Sequence, residues 1–330
     1  MSSFSIFVSR CIPDAGLSLL KKQGYKVKVS PHDRVLTKGE LLREMKDIDA
    51  LLCLLTDKID GEIMDAGSPR LKIIANYAVG FDNIDLKAAA KRRLFISNTP
   101  GPEITESVAE FTVTLMLALA RRVGEAERFI RAHKYRGWEP MLLMGQDLYG
   151  KTIGIVGLGR IGGGVARRLK SFGVKFIYNS QSRNADFEKE FGARRMSLEA
   201  LLKQADFVTL HVPLTRETRY LINRKNIKLM KKTAYLINTA RGPVVEEKAV
   251  LQALSKKQIA GAAIDVYECE PAIDCDLKDH MELRKLDNII MTPHIASATI
   301  AARSAMAEAA ARNIIAALQG KTPPNAVKPE

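Results

Sequence analysis

Short apolar runs alternate with helically spaced segments along this chain, and the alternation occurs in two separate series. In the first series Ser5–Ser9, Lys26–Ser30, Ala50–Leu54, Leu71–Asn76 and Leu94–Ser97 read as strands, with Gly16–Gln23 and Lys38–Met45 carrying helical spacing between them. Strand–helix–strand alternation is the pattern of a parallel α/β sheet. Asn98-Thr99-Pro100-Gly101-Pro102 then breaks it and reads as a hinge. A second series follows, with strand-like runs at Thr152–Val156, Lys175–Tyr178, Phe207–Leu210, Ala234–Ile237, Gly261–Val266 and Asn288–Met291. A chain of 330 residues has room for two such domains.

Between the two series one long helix is expected over Thr105–Ile130, followed by an irregular stretch, Lys134–Tyr149. That stretch holds the only tryptophan, Trp138, and the apolar group Met141-Leu142-Leu143-Met144. So apolar a loop needs cover, either from its own domain or from a second subunit. An alanine-rich helix is expected over Ser297–Leu318, and Thr322–Glu330 reads as a frayed tail.

Charge needs a separate argument. The chain carries 51 Lys+Arg against 37 Asp+Glu, a formal net charge of +14. Nucleic acid, an anionic membrane or small anions could each explain that excess. The basic residues occur as scattered pairs such as Lys21-Lys22, Arg121-Arg122 and Arg194-Arg195, with acids between them, which is the pattern of solvated helix faces and not of a binding tail. No nucleic-acid partner is therefore expected. The longest apolar run, Phe111–Ala120, is too short to cross a bilayer, and no basic-then-apolar leader opens the chain. The cysteines, Cys11, Cys53, Cys269 and Cys275, show no CxxC spacing. Neither a disulfide framework nor a zinc site is expected, and a reduced cytoplasmic setting fits best.

Two glycine patterns resemble phosphate loops. Gly145-x-x-x-x-Gly150-Lys151-Thr152 matches a Walker A string, but its lysine leads into a strand instead of a helix, so the context is inverted. Gly157-Leu158-Gly159-Arg160-Ile161-Gly162 has the right context, lying between the strand Thr152–Val156 and a helical pattern over Ile161–Ser171. There the first glycine permits a tight turn, the second lets backbone approach a pyrophosphate, and the third allows close strand–helix packing. An acid ending the next strand would hold the ribose hydroxyls of NAD. Ser180 occupies that place, in Asn179-Ser180-Gln181-Ser182-Arg183, and no acid appears before Asp186. Hydroxyls and an arginine without a carboxylate suit a 2′-phosphate, so NADP is expected as the preferred cofactor, with NAD possible.

Three further motifs each follow an apolar strand: Asn238-Thr239-Ala240-Arg241-Gly242-Pro243, Gly261 to Glu270-Pro271 with Asp265 inside it, and Met291-Thr292-Pro293-His294-Ile295-Ala296. Carboxyl ends of parallel strands are where open α/β sheets bind ligands. Arg241 suits a carboxylate and carbonyl anchor, because its guanidinium forks and stays charged. His294 suits acid–base work near neutral pH, with Glu270 as the carboxylate that orients it.

These motifs make the chain resemble the D-isomer-specific 2-hydroxyacid dehydrogenase family from about Asn76 to Leu318. The resemblance implies two Rossmann-like/flavodoxin-like parallel-sheet α/β domains. A nucleotide-binding domain at 100–296, with a dimerisation helix and loop over 105–150, is inserted into a discontinuous substrate domain at 1–99 and 297–330. The active site is expected in the cleft between them. Arg241, Glu270 and His294 are implied as catalytic. Leu158, Gly159, Arg160, Ile161, Ser180, Gln181, Ser182, Arg183, Val212, Pro213, Thr218, Thr239, Ala240, Asp265, His294, Ala296 and Val108 are implied to line the cofactor. Asp265 takes the place of the family's carboxamide-holding aspartate, and Glu106 to Glu110 matches the helix start that touches the nicotinamide.

In Asn76-Tyr77-Ala78-Val79-Gly80, the backbone N–H groups of Val79 and Gly80 would contact the substrate carboxylate, alongside Arg241 and His294. Trp138 resembles a tryptophan that reaches a partner subunit's substrate site in glyoxylate/hydroxypyruvate reductases, so a homodimer is expected. The implied reaction is NADPH-dependent reduction of a short 2-keto acid, glyoxylate or hydroxypyruvate, to the D-2-hydroxy acid. The alternatives are 2-ketogluconate reductase, D-3-phosphoglycerate dehydrogenase, and, from another class, a nucleotide-sensing co-repressor. No metal and no membrane partner are expected.

Overall fold

The computed structural model of the chain describes residues 3–270 and 282–327. Its contacts divide the chain into two compact units, Met1–Ile104 with Ala298–Glu330, and Thr105–Ser297. Each unit is built on a sheet whose strands are all parallel.

In the first unit β1 (Ser5–Val8), β2 (Lys26–Val29), β3 (Ala50–Leu54), β4 (Ile73–Tyr77) and β5 (Phe95–Ser97) lie in the order β2-β1-β3-β4-β5. Helices α1 (Asp14–Lys22), α2 (Lys38–Glu44), α3 (Gly61–Ala66) and α4 (Leu86–Lys91) connect them. This is a flavodoxin-like order. Alternate strand residues point to opposite faces. Phe7, Leu51, Cys53, Ile74 and Ile96 pack with Met45, Ile63 and Met64 on one face. Their neighbours Ile6, Val8, Leu52, Ile73 and Ala75 are equally buried, which is why these strands read as continuous apolar runs. Helices α3 and α4 span only six residues each and carry no periodic signal. Their starts are set by capping: Asp60 accepts from the amide of Ile63, and Asp85 from that of Ala88.

The second unit holds α5 (Pro102–Ala120), of which Pro102–Ile104 falls in the first, and then α6 (Val123–Arg131), β6 (Thr152–Val156), α7 (Arg160–Leu169), β7 (Lys175–Asn179), α8 (Ala185–Phe191), β8 (Arg194–Arg195), α9 (Leu198–Gln204), β9 (Phe207–Leu210), β10 (Tyr235–Asn238), α10 (Glu247–Ser255), β11 (Gly261–Ile264) and β12 (Ile289–Met291). The strand order is β12-β11-β10-β9-β6-β7-β8. Winding reverses at β6, which lies between β7 and β9, so the loop after β6 sits at the topological switch point where such sheets bind ligands. Both faces are covered. Val208, Leu210, Leu236, Ala262 and Ile264 belong to one core, while Phe207, Tyr235, Ile237 and Ala263 belong to the other.

The single helix expected over Thr105–Ile130 is two helices. Arg122 turns the chain in a left-handed conformation, φ 53°, and its guanidinium forks onto Glu125 at 2.8 and 2.7 Å. The Ala120 carbonyl accepts from the amide of Gln146 at 2.9 Å. No residue of α6 is buried.

Helix α11 (Ile300–Leu318) belongs to the first unit, capped by Thr299 and packed on α1 and β4. The segment after it is no frayed tail as far as Val327. Ala326 bridges to Ser97, the Val327 amide donates to Ile96 at 2.8 Å, and Asn313 Oδ1 accepts from the amide of Asn325 at 3.0 Å. Cys269 also departs from expectation: it is disulfide-bonded, whereas Cys11 and Cys53 are free. Pro271 and Cys275 lie outside the described residues. No helix among the described residues is long and apolar enough to cross a membrane.

Candidate active site

Four polar residues follow the carboxyl ends of three adjacent strands in the second unit: Arg241 after β10, Asp265 and Glu270 after β11, and His294 after β12. The His294 Nδ1 lies 2.6 Å from Glu270 Oε2. A carboxylate only accepts, so this contact places a ring proton on Nδ1 and leaves Nε2 uncommitted to Glu270. Both side chains are partly shielded, at 24% and 28% exposure, which leaves them shielded from bulk water yet reachable.

The turn carrying His294 is held from below by Asp265, which is fully buried. Asp265 Oδ1 accepts from the Thr292 hydroxyl at 2.6 Å and the Ile295 amide at 2.9 Å, and Oδ2 accepts from the Ala296 amide at 2.9 Å. Burial pushes this carboxyl above its ordinary pKa, against the pull of those three donors. His294 itself sits at φ 54°, a left-handed conformation that side chains rarely adopt, and the three bonds to Asp265 hold the turn that carries it. Tyr267 adds a second tie, donating to the Thr292 carbonyl at 2.9 Å.

Arg241 leaves β10 with its Nη1 donating to the Ala240 carbonyl at 2.9 Å, while Asn238 Nδ2 holds the Arg241 carbonyl at 2.9 Å. Only glycine fits after it. A Cβ on Gly242 would stand 1.8 Å from the Tyr267 carbonyl oxygen. This close approach joins the Arg241 segment to the segment leading to Glu270. Nearby, Glu247 and Glu268 each accept the other's backbone amide at 2.5 Å.

The loop after β6 fits a dinucleotide. Gly157 has φ 94°, and a Cβ there would meet the His211 backbone at 2.7 Å. A Cβ on Gly162 would strike the Gly157 carbonyl at 2.5 Å, whereas one on Gly159 would meet nothing within 4 Å. Two glycines thus close the turn on β9 and α7, and the third leaves open space beside the amino end of α7, where a pyrophosphate would lie. Leu158 and Ile161 are half-buried, and Gly159 and Arg160 are exposed. In the Walker-like string, Lys151 precedes β6 and no helix follows it.

Ser180 follows β7 with no carboxylate in its place, and Gln181, Ser182 and Arg183 are exposed. The Thr218 hydroxyl is committed to its own turn, donating to the Pro213 carbonyl at 2.6 Å, beside the half-buried Val212. Thr239 is bonded to Thr112 at 2.8 Å, which ties Ala240 and the end of β10 to α5. Val108 is buried one turn earlier on α5. Glu106 does not point to a free site; it pairs with Arg168 at 2.7 Å and Arg167 at 3.3 Å. Trp138 is 82% exposed, with Met141 at 71%.

In the first unit, the loop Ala78-Val79-Gly80 after β4 has its three carbonyls engaged. Ala78 O accepts from the Thr99 amide at 2.8 Å, Val79 O from Asn98 Nδ2 at 2.7 Å, and Gly80 O from the fully buried Asn76 Nδ2 at 2.9 Å. A trans peptide directs its N–H opposite to its C=O. The amides of Val79 and Gly80 therefore face away from these anchors. Motif spacing did not single out Asn98 as an anchor, although it lies within the expected hinge.

A model of the D-isomer-specific 2-hydroxyacid dehydrogenase NAD-binding domain matches residues 113–296. The glyoxylate reductase of Thermofilum pendens is 51% identical over 332 residues, covering 100% of this chain and 96% of that protein. That of Thermococcus kodakarensis is 48% identical over 329 residues, covering 98% and 96%. The chain belongs to the D-isomer-specific 2-hydroxyacid dehydrogenase family.

Members of this family are oxidoreductases acting on a CH–OH group, and this one carries the family's NAD(P)-binding domain. The NADPH-dependent glyoxylate/hydroxypyruvate reductase of Sinorhizobium meliloti, solved with NADP and malonate, shares its dehydrogenase fold at TM-score 0.84 and 30% identity, covering 99% of this chain and 97% of that one. A Thermus thermophilus protein matches at TM-score 0.90 and 40% identity, covering 98% and 100%. Among the described residues, no cluster of His, Cys, Asp or Glu is disposed to hold a metal ion.

Proposed function

We propose that this dehydrogenase reduces glyoxylate or hydroxypyruvate to the D-2-hydroxy acid with NADPH. The 2.6 Å His294–Glu270 pair carries this reading, because it provides an oriented acid at a strand end. A dinucleotide held at the glycine loop after β6 would supply the hydride. His294 delivers a proton from Nε2 to the developing alkoxide, and Glu270 stabilises the imidazolium and holds its orientation. Arg241 offers fixed positive charge to the carbonyl and carboxylate oxygens. The amides of Val79 and Gly80 receive the carboxylate.

Glyoxylate reductase is the name carried by relatives covering 98–100% of this chain, which supports a small substrate. NADP preference is supported by Ser180 and by the absence of a carboxylate at that position. We infer a homodimer from Val123, Ile130, Trp138, Met141 and Met144, all exposed along α6 and the following loop. A cytoplasmic setting, where NADPH is available, and the domain limits 1–99 with 297–330 and 100–296 complete the proposal.

The test is oxidation of NADPH and NADH against glyoxylate, hydroxypyruvate, pyruvate, 2-ketogluconate and phosphohydroxypyruvate. Highest kcat/KM with NADPH and either of the first two substrates is expected; a higher value with 2-ketogluconate or phosphohydroxypyruvate would overturn the substrate assignment.

A further inference from the structure

A carboxylate outside the motifs stands beside the residues assigned to the cofactor's ribose. Glu188, on α8, holds Arg183 through Oε2, 2.8 Å from Nε and 2.7 Å from Nη2. Its Oε1 accepts from the Tyr178 hydroxyl at 2.8 Å, and that hydroxyl accepts from the Asn184 amide at 2.9 Å. Glu188 is therefore anchored by β7 and shielded, at 16% side-chain exposure, while Arg183 is 71% exposed. Arg183 holds the Glu188 carboxyl below its ordinary range, so the pair is ionised at neutral pH.

On the other side of the same loop Arg195 donates from Nε to the Ser180 carbonyl at 3.1 Å and from Nη2 to the Gln181 carbonyl at 2.8 Å. Both peptide planes are thereby fixed, and the amides of Gln181 and Ser182 face away from Arg195. An open surface groove, lined by Arg183, Glu188, Arg194 and Arg195 among others, adjoins the loop.

We propose that Glu188 and Arg195 set the cofactor selectivity of this enzyme in opposite directions. Glu188 competes with a 2′-phosphate for the Arg183 guanidinium, and Arg195 braces the loop that presents Arg183 and two outward amides to that phosphate. A dinucleotide without the 2′-phosphate leaves the Arg183–Glu188 pair intact. A phosphorylated one brings a charge of about −1.5 to −2 next to Glu188, and Arg183 must choose between two anions. The positioning of Arg195 matters only for the phosphorylated cofactor. This inference rests on the proposed placement of the ribose at Ser180–Arg183.

The experiment is calorimetric titration of the full chain with NADPH, NADH, 2′,5′-ADP and 5′-AMP, for the wild type and the variants E188Q, R195L, R183Q and E188Q/R183Q. Retained thermal unfolding midpoints serve as the folding control. E188Q is expected to tighten NADPH and 2′,5′-ADP about tenfold while NADH and 5′-AMP change less than about threefold. R195L is expected to weaken NADPH and 2′,5′-ADP about tenfold with the same small effect on NADH. The E188Q gain must vanish in E188Q/R183Q relative to R183Q, which a merely structural role for Glu188 would not produce. Unchanged or weakened NADPH binding in E188Q, or a gain that persists without Arg183, overturns the proposal. Tighter NADH than NADPH in the wild type counts instead against the NADPH reading and is separable from the E188Q result.

Discussion

The Asn98 side-chain amide donates to the Val79 carbonyl at 2.7 Å and turns the Gly80 amide outward on the opposite side of the same peptide. If that amide takes the substrate carboxylate, Asn98 acts through Val79 and not on the substrate itself. Asn98→Ala is expected to raise KM for the keto acid about tenfold, the worth of roughly one hydrogen bond, with kcat falling less. The dissociation constant for NADPH is expected to stay within about threefold, since Asn98 belongs to the first unit. Steady-state kinetics against keto acid and calorimetry with NADPH check both; a KM equal to wild type rejects the assignment.

The His294–Glu270 pair leads to a different kinetic signature. His294→Asn removes the proton donor while leaving a side chain of similar polarity. It is expected to lower kcat/KM by roughly 10²- to 10⁴-fold. NADPH binding is expected to persist, because the glycine loop after β6 is untouched. Turnover within tenfold of wild type would assign the proton to another group.

The sheets were legible in the sequence because both faces of each are covered, which leaves nearly unbroken apolar runs such as Phe207–Leu210. The residues of the candidate site could be singled out for a related reason: Arg241, Asp265, Glu270 and His294 all follow such runs. What escaped depends on contacts between distant segments. The break after Ala120 involves the amide of Gln146, twenty-six positions along the chain by subtraction (146 − 120). The Asn98 anchor is visible only once β4 and β5 are known neighbours, and the Arg195 brace only once β8 is placed beside β7. Helices α3 and α4 escaped because six residues give too few turns for periodicity to register.

Gly242 offers a test of how tightly the site is built. The added Cβ of Gly242→Ala would lie 1.8 Å from the Tyr267 carbonyl oxygen and 2.5 Å from the Glu268 amide nitrogen, so backbone and not a flexible side chain must yield. A destabilisation of about 2–3 kcal/mol is expected, read as a lowered denaturant midpoint. Activity is expected to fall further than stability at 25 °C implies, because the shift moves Arg241 and the segment leading to Glu270. An unchanged midpoint would show that the Arg241 and Tyr267 segments are not packed in this way.

Acid sensitivity is expected to come in part from His211. Its Nε2 lies 3.0 Å from the fully buried Thr209 hydroxyl, and burial lowers its pKa from 6.5 to about 3. The folded chain keeps this imidazole neutral, whereas the unfolded chain protonates it below pH 6.5. Between those values the unfolded state binds the extra proton, so stability falls as pH falls, by up to about 1.4 kcal/mol per pH unit for this one group. The contribution is fully present above pH 6.5 and lost progressively toward pH 3. His211→Gln keeps a polar group beside Thr209 but has nothing to titrate. Its unfolding free energy, measured by denaturant titration from pH 7 to pH 4, is expected to decline less steeply than that of the wild type. Parallel curves for the two proteins would mean that His211 is not held neutral by the fold.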